Sequence, residues 1–194
     1  MDLYKYFYSI NNATFSTLKS MASSPLDGIA AFIVESYLFI LPLLLLFFIY
    51  KKDRNAYPYF FGLIISYTIS YILKTIFREP RPCNIDTYNW INKIGCESGY
   101  SFPSSHATVL TGIVIFMKPY RIIRALYIIW LFFVLLFKIY LGEHFLSDII
   151  FGMLLSIVIY YAIYRYREKL TNFIISLPII KKIDTVLFRN TGKI

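Results

Sequence analysis

Long apolar runs recur along this chain, and they constrain its fold more than any other feature. A helix needs about 20 apolar residues to cross the hydrocarbon core of a bilayer. Five runs approach that length, at residues 28–50, 57–77, 102–120, 122–141 and 146–164. Hydrophobic residues make up 58% of the 194 residues and aromatic residues 20%, well above the average of soluble proteins. The sequence therefore predicts an all-α, polytopic membrane helix bundle of about five transmembrane helices, forming one domain over residues 1–194.

The two ends of the sequence have a different pattern. Residues 1–24 carry spaced apolar side chains interrupted by Asn11 and Asn12, which is typical of short amphipathic pieces in the membrane surface. Residues 165–194 are basic and amphipathic, so we expect a tail on the cytoplasmic surface. The first long apolar run has no small-residue cleavage site, and no signal peptide is expected.

The basic residues predict which ends of the helices face the cytoplasm. The net charge of +9 does not indicate a nucleic-acid partner, because the Lys and Arg residues lie between apolar runs. On one side of the predicted bundle, three Lys and Arg residues lie in the loop after the first run, three after the third run and seven in the tail. The other side holds seven Lys and Arg residues in all. Since the richer side is normally cytoplasmic, the opposite ends should face outward across the plasma membrane.

Two polar clusters fall on that outward side. Lys74 and Arg81 are seven residues apart, two helical turns, just before the break made by Pro82. They fit either a shared binding face or ordinary anchoring at a span end. Ser104, Ser105 and His106 follow a proline at a helix start, where backbone N–H groups and hydroxyls can face an anion. Either this third helix extends to Tyr120, or its polar start lies below the outer surface.

A third polar cluster, Lys138, His144 and Asp148, lies between the last two apolar runs. His144 and Asp148 are four residues apart, so on a helix they share one face. A carboxylate that accepts from one imidazole nitrogen leaves the other nitrogen free as a base or nucleophile. A polar loop with a helix-capping aspartate is the simpler interpretation of the same residues. Charged groups at a membrane interface are costly, which favours a function.

Together the clusters predict a phosphate site with two histidines. Three cations, hydroxyls and a helix start can receive a phosphate. One histidine oriented by Asp148 and a second one, His106, provide a nucleophile and a general acid. The sequence offers no clustered carboxylates or cysteines for a metal, so we expect phosphoryl transfer without metal or cofactor. A protein that only binds or transports lipid head groups is the alternative from another class.

These motifs resemble the type 2 phosphatidic acid phosphatase superfamily of membrane lipid phosphatases. That family carries Lys-x6-Arg-Pro, Pro-Ser-Gly-His and Ser-Arg-x5-His-x3-Asp, in this order. The matching stretches here are Lys74 to Pro82, Pro103 to His106 and Phe137 to Asp148, which together span about half of the chain. Short length, Glu35 in the first run and an outward site are most similar to undecaprenyl-diphosphatases of the bacitracin-resistance type.

The resemblance implies a role for each matched residue. His144 would attack phosphorus to form a phosphohistidine, Asp148 would orient it, and His106 would protonate the leaving oxygen. Phosphate-binding residues would be Lys74, Arg81, Ser104, Ser105 and Lys138. Two positions depart from the family: Ser105 replaces Gly, and Lys138 replaces Arg, which exchanges a bidentate fork for a point charge. The rate and the range of substrates should change accordingly.

The resemblance leaves several substrates open. Polyprenyl diphosphate is the first expectation, since its head group can enter the site from the bilayer while the isoprenoid chain stays in hydrocarbon. Phosphatidate, phosphatidylglycerophosphate and lipid A are alternatives within the same chemistry.

Three further residues carry expectations of their own. Glu35, inside the first run, would be an accessory residue that pairs with a site cation, or a protonated acid bonded to a neighbouring helix. Cys83 and Cys96 lie in the loop on the outward side, where an oxidising exterior permits a disulfide. Two reduced thiols are the alternative.

Overall fold

The computed structural model describes residues 11–18, 24–85, 96 and 98–188. We number the helices α1 to α9 along the chain. They cover residues 11–18 (α1), Ser24–Glu35 (α2), Tyr37–Tyr50 (α3), Ala56–Phe77 (α4), Ser105–Leu110 (α5), Arg121–Tyr140 (α6), Leu146–Arg165 (α7), Arg167–Ser176 (α8) and Pro178–Leu187 (α9). Within the described residues there is no strand, and the predicted all-α fold is confirmed.

Among the residues that the structure describes, four segments are long and apolar enough to cross a bilayer. They are Pro25–Tyr50, Ala56–Asn84, Arg121–Tyr140 and Leu146–Arg165. Their outward surfaces carry large apolar side chains: Phe39 is 70% exposed and Val158 is 67% exposed. A water-soluble protein does not expose apolar side chains on this scale, whereas a bilayer solvates them. The chain is therefore a multi-pass membrane protein.

The predicted third span is shorter than expected. In place of a helix over residues 102–120, α5 is followed by a 3-10 helix at Thr111–Ile115, and together they provide eleven apolar helical residues. At about 1.5 Å per residue an α-helix of that length covers only half of the hydrocarbon core. Gly112 donates its N–H to Ser156 Oγ at 2.8 Å, which ties this segment to α7. The described part of the chain accordingly contains four long helices.

The first span is built from two helices. Residue Ser36 separates α2 from α3 within the predicted run 28–50. Its hydroxyl donates to Ile33 O at 2.6 Å and accepts from Trp130 Nε1 at 2.8 Å. A serine that bonds back to the preceding turn competes with the helical hydrogen bonds and bends the helix. This bend brings Tyr37 and the start of α3 over the start of α5.

Close packing brings the start of α5 against α7. A Cβ atom placed on Gly152 would lie 2.8 Å from Ala107 Cβ and 2.9 Å from Ser104 O. No larger residue fits there without movement, so glycine allows the two backbones to approach. Ser104 N also donates to Asp148 O at 3.3 Å. The second and third sequence motifs thus meet through the backbone.

The first and the last helix of the described residues, α1 and α9, both pack onto the bundle. In α1, Phe15 is 1% exposed, and its ring packs edge-on against Phe145 with 5.8 Å between ring centroids. In α9, the buried Asp184 accepts from Arg54 Nη2 at 3.1 Å and from Tyr57 OH at 3.0 Å. The predicted interfacial segment 1–24 lies partly outside the described residues, as does the end of the predicted tail, residues 189–194.

Candidate active site

A polar cavity of about 410 Å³ opens at one end of the bundle. Residues that are far apart in the sequence lie together around this cavity. Its lining includes Lys74, Arg81, Ser105, His106 and His144, together with Tyr37, Tyr67, Tyr71, Thr75, Ser98, Gly99 and Tyr100. Five of the eight residues predicted for catalysis and phosphate binding therefore share one cavity. Ser104, Lys138 and Asp148 are fully buried outside its lining.

His144 is held by the carboxylate of Asp148. The distance from His144 Nδ1 to Asp148 Oδ2 is 3.4 Å, and both side chains are almost fully buried. The same oxygen accepts from Phe145 N at 2.9 Å and, through a very short hydrogen bond, from Ser101 Oγ. A carboxylate fixed by two donors gives the imidazole a defined orientation. It leaves His144 Nε2 directed toward the cavity, 3.5 Å from Arg81 Nη1.

The position of Arg81 is set by a backbone contact between two loops. Directly after Arg81, the 3-10 turn Pro82–Asn84 begins, and Cys83 N donates to Gly142 O at 2.8 Å. Gly142 has a φ of 69°, a left-handed conformation that glycine adopts without strain. Arg81 Nη1 then donates to Glu143 O at 3.1 Å. The guanidinium is only 3% exposed, yet it lies beside His144 at the cavity wall.

Lys74 closes another side of the cavity. It lies in the last turn of α4, and its ammonium donates to Tyr100 O at 2.6 Å and to Ser101 O at 2.9 Å. These bonds join α4 to the loop that supplies Ser101 to Asp148. Lys74 thus contributes positive charge to the cavity and also helps to hold the support of His144.

The second motif divides into a buried residue and two cavity residues. Ser104 caps α5, with its Oγ accepting from Ala107 N at 3.4 Å. Ser105 faces the cavity, and its Oγ lies 2.8 Å from Ser70 Oγ. His106 packs edge-on against the ring of Tyr37, with 4.6 Å between centroids. Ser104 therefore supports the helix start, whereas Ser105 and His106 face the cavity.

Lys138 is placed differently from the expectation. It is 0% exposed and does not line the cavity. Its Nζ lies 2.5 Å from Glu143 Oε2, in a buried ion pair. The sequence argument treated Lys138 as a direct phosphate ligand, but the structure places it behind Arg81. Glu35 also differs from the expectation, since it is exposed and lines neither this cavity nor the apolar groove described below.

Three residues of the site were missed by the sequence argument. The position of Glu143 in the sequence could have identified it, because a carboxylate beside His144 at a membrane interface needs a partner. Ser101 and Tyr37 had no such indication in the sequence, since their contacts with Asp148 and His106 come from loop and helix packing rather than from spacing. Such contacts become apparent only when the helices are assembled.

An apolar groove of about 330 Å³ adjoins the polar cavity. The two share Tyr37, Tyr67, Ser105 and His106 in their linings. The remaining lining of the groove is aliphatic: Leu41, Leu63, Ile64, Val109 and Leu110. Ile64 and Tyr67 are 49% and 58% exposed on the apolar outer surface. The groove therefore leads from the lipid-facing side of the bundle to the histidines.

A disulfide joins Cys83 to Cys96. The sequence left open a disulfide or two reduced thiols, and the structure has the disulfide. Cys83 follows Pro82, so the bond ties Cys96 to the segment that carries Arg81. Among the described residues, His, Cys, Asp and Glu side chains do not gather in any group of three that could hold a metal ion.

Comparisons with known proteins identify a family and agree with the fold. The model of the PAP2 superfamily matches residues 55–172, more than half of the chain. No match was found among curated protein sequences. A crystal structure of a transmembrane PAP2 type phosphatidylglycerolphosphate phosphatase from Bacillus subtilis is 20% identical, with a TM-score of 0.66, covering 84% of this chain and 86% of that chain. Aquifex aeolicus LpxE is 23% identical, with a TM-score of 0.67, covering 78% of this chain and 93% of that chain.

Proposed function

The chain belongs to the PAP2 superfamily, and from that premise we propose that it is a membrane lipid phosphatase acting on a polyprenyl diphosphate. The products would be the polyprenyl monophosphate and inorganic phosphate. The observation that carries the proposal is the buried pair of His144 and Asp148, with His144 Nε2 beside Arg81 in the cavity. Simple anion binding does not require a histidine oriented by a carboxylate.

The reaction proceeds in two displacements at phosphorus. His144 Nε2 attacks the terminal phosphorus, a P–N bond forms, and the P–O bond to the leaving group breaks. His106 gives a proton to the departing oxygen, so that the polyprenyl phosphate leaves with one negative charge fewer. A water molecule then attacks the phosphohistidine, His106 takes up its proton, and phosphate is released with His144 regenerated. Lys74, Arg81 and Ser105 balance the negative charge that develops on the phosphoryl oxygens.

A lipid substrate is favoured by the arrangement of the two cavities. The aliphatic groove meets the polar cavity at Ser105 and His106 and reaches the lipid-facing surface near Ile64. A head group can therefore enter from the bilayer while its chain stays in apolar surroundings. An isoprenoid chain suits the aliphatic part of the groove, which is lined by Leu41, Leu63, Ile64, Val109 and Leu110, and the cavity cations need to hold only the diphosphate.

The outward orientation of the site has two sources of support. The Lys and Arg residues are richer at the opposite ends of the helices, which favours those ends as cytoplasmic. The Cys83–Cys96 disulfide lies at the cavity end, and disulfides persist in oxidising compartments. We propose that the enzyme works at the outer face of the plasma membrane.

A panel of lipids tests the activity and the substrate. Purified protein in detergent would be given polyprenyl diphosphate, phosphatidate, phosphatidylglycerophosphate and lipid A, with phosphate release measured with and without EDTA. We expect the highest kcat/KM for polyprenyl diphosphate and no effect of EDTA. Preference for another lipid would replace the substrate, and absence of release from every lipid would favour a head-group binding protein.

Labelling in intact cells tests the orientation. In a Cys83→Ser/Cys96→Ser background, Ser98→Cys lies at the cavity end and Lys51→Cys at the opposite end, both exposed. An impermeant thiol reagent should label Ser98→Cys and spare Lys51→Cys until the cells are opened. The reverse pattern would place the site in the cytoplasm.

A further inference from the structure

The helix α1 turns its large apolar side chains toward the bundle. Phe15 is 1% exposed, and Leu18 is partly buried. Asn11 lies on the same face, because residues 11, 15 and 18 are spaced by about one helical turn each. The opposite face is exposed and carries small or polar residues: Ala13, Ser16 and Thr17. The helix therefore presents its apolar side chains to the protein rather than to lipid.

On one side, α1 contacts the beginning of α7, directly after His144. The ring of Phe15 packs edge-on against Phe145, with 5.8 Å between ring centroids. Asn11 Nδ2 donates to Ser147 Oγ at 3.3 Å. Both partners lie within three residues of His144, one immediately before α7 and one in its first turn.

On the other side, α1 contacts the end of α6. Leu18 packs against a small buried cluster that contains the last residue of α6 and the residue after it, Tyr140 and Leu141. We refer to residues 141–145, between α6 and α7, as the His144 loop. The contacts of α1 fall on both ends of this loop, so α1 joins the two helices between which the loop runs.

Phe145 links these contacts to the pair of His144 and Asp148. Its N–H donates to Asp148 Oδ2 at 2.9 Å, and the same oxygen lies 3.4 Å from His144 Nδ1. A shift of the Phe145 backbone would therefore change the position of the imidazole relative to the carboxylate. The ring of Phe15 opposes such a shift, because side chains in close packing cannot move independently.

We propose that α1 braces the His144 loop, and that Phe15 is a positioning residue, which keeps His144 oriented by acting through Phe145. The inference rests on the proposed phosphatase function. Phe15 lies outside the lining of the polar cavity, so its effect on the reaction is indirect. Misplacing a reacting group by about 1 Å can cost about 10²-fold in rate, and a contact outside the cavity can therefore control kcat.

Phe188 provides a matched control at the opposite end of α4. Like Phe15 it is buried, with 3% exposed, and its ring packs against Tyr57 with 5.5 Å between centroids. Tyr57 lies at the start of α4, whereas the cavity lies beside Lys74 in the last turn. Phe15→Ala and Phe188→Ala each remove a buried aromatic ring, so both should lower the melting midpoint. Only Phe15→Ala should disturb the His144 loop.

Hydrogen–deuterium exchange measures the bracing without reference to activity. The backbone N–H groups of Glu143, His144 and Phe145 are all hydrogen-bonded, which protects them from exchange. In detergent-solubilised Phe15→Ala, a peptide covering residues 143–148 should exchange at least about tenfold faster than in the parent. In Phe188→Ala the same peptide should stay within about threefold of the parent.

Kinetics with polyprenyl diphosphate measure the effect on the reaction. In Phe15→Ala, kcat should fall at least about tenfold, because His144 is no longer held in one orientation. KM should rise by less than kcat falls, since Lys74, Ser105 and His106 belong to α4 and α5. Phe188→Ala should keep the parental kcat at a temperature at which both variants are folded.

A conservative series separates the brace from a general packing role. Phe15→Leu keeps part of the apolar contact and should recover most of the kcat lost in Phe15→Ala. Phe145→Leu removes the other ring of the same contact. If the two rings act together, the double variant Phe15→Leu/Phe145→Leu should lose little more kcat than the weaker single variant.

The readouts separate the possible failures. Equal changes in exchange and kcat for Phe15→Ala and Phe188→Ala would overturn the proposal, as would parental exchange of residues 143–148 in Phe15→Ala. If Phe15→Ala does not fold, Phe15→Leu is compared with Phe188→Leu, and equal effects of these two again reject the brace. If the parent releases no phosphate from any lipid, the proposed function fails, and the exchange rates still decide whether α1 holds the loop.

Discussion

Two buried carboxylates join helices at opposite ends of α4, and their surroundings differ in one decisive respect. Glu143 contacts Lys138 and Arg81, and its neighbour His144 faces a cavity. Asp184, about 30 Å away along α4, contacts Arg54 and Tyr57. Each carboxylate is buried and each is paired with an arginine. Only at the first end, among the described residues, does such an arginine lie against a histidine that lines a cavity.

Under the proposed function, the ion pair of Glu143 and Arg81 supports the reaction, whereas the ion pair of Asp184 and Arg54 only holds helices together. At the Asp184 end the adjoining cleft is lined by charges of both signs, among them Lys52, Asp53 and Arg54. Mixed charges of this kind compensate one another. At the cavity end the charge facing the cavity is positive, from Lys74 and Arg81. A phosphate is attracted to the second arrangement and not to the first.

The largest expected effect is that of His144→Ala. Phosphate release should fall by roughly 10³-fold or more, because no nucleophile remains to form the P–N bond. The melting midpoint should fall as well, because the substitution removes the contacts of a buried imidazole with Asp148 and Arg81, so the rates are compared at a temperature at which both proteins are folded. The measurement is labelling with radioactive substrate followed by an alkaline quench, because phosphohistidine is lost in acid. The parent should retain the label on the protein, and His144→Ala should not. Retained activity would reject His144 as the nucleophile.

The next effect concerns the pH dependence. Activity should be bell-shaped, falling at low pH as His144 becomes protonated and at high pH as His106 loses its proton. His106→Asn should lower kcat by about 10²-fold and remove the fall at high pH. Rates from pH 4 to 9 in parent and variant provide the test. A variant that keeps the alkaline fall would assign the general acid to another residue.

A smaller effect is expected for the disulfide. Cys83→Ser/Cys96→Ser removes the covalent link between the two positions, and the free energy of unfolding should fall by up to about 3 kcal/mol. Activity should fall only a few-fold, because Glu143 O still holds Arg81. Treatment of the parent with a reductant provides the matched control, and it should reproduce the variant. A loss of activity as large as that of His144→Ala would mean that the disulfide itself sets the position of Arg81.

Much of the fold and of the cavity was predictable from the sequence, because apolar run length and motif spacing are local. Four of the five predicted spans and the meeting of Lys74, Arg81, Ser105, His106 and His144 follow from such patterns. Whether Cys83 and Cys96 pair was left open, because pairing depends on how closely the folded chain brings them together. The short third helix was not predictable, because its length depends on how Gly112 bonds to Ser156 across to α7. The burial of Lys138 was missed for a similar reason. Its partner Glu143 lies five residues away, beyond the end of α6, so helical spacing could not pair them.

The smallest expected effect on activity tests the other side of the comparison. Asp184→Asn keeps the shape of the side chain but removes the charge that faces Arg54, while Tyr57 still finds an acceptor. Since Arg54 is 33% exposed, water compensates part of the loss, and about 1 kcal/mol of stability should go. For a chain of this length that lowers the melting midpoint by roughly 2–4 °C. The kcat for the lipid substrate should change less than twofold, because Asp184 contacts Tyr57 at the start of α4, whereas the polar cavity lies at the other end of α4, beside Lys74. Tyr57→Phe is the matched control, removing one hydrogen bond to the same carboxylate, and it should give a similar shift in melting midpoint. A tenfold loss of kcat in Asp184→Asn at an unchanged melting midpoint would show that the two ends of α4 are coupled, and the division between chemistry and assembly would not hold.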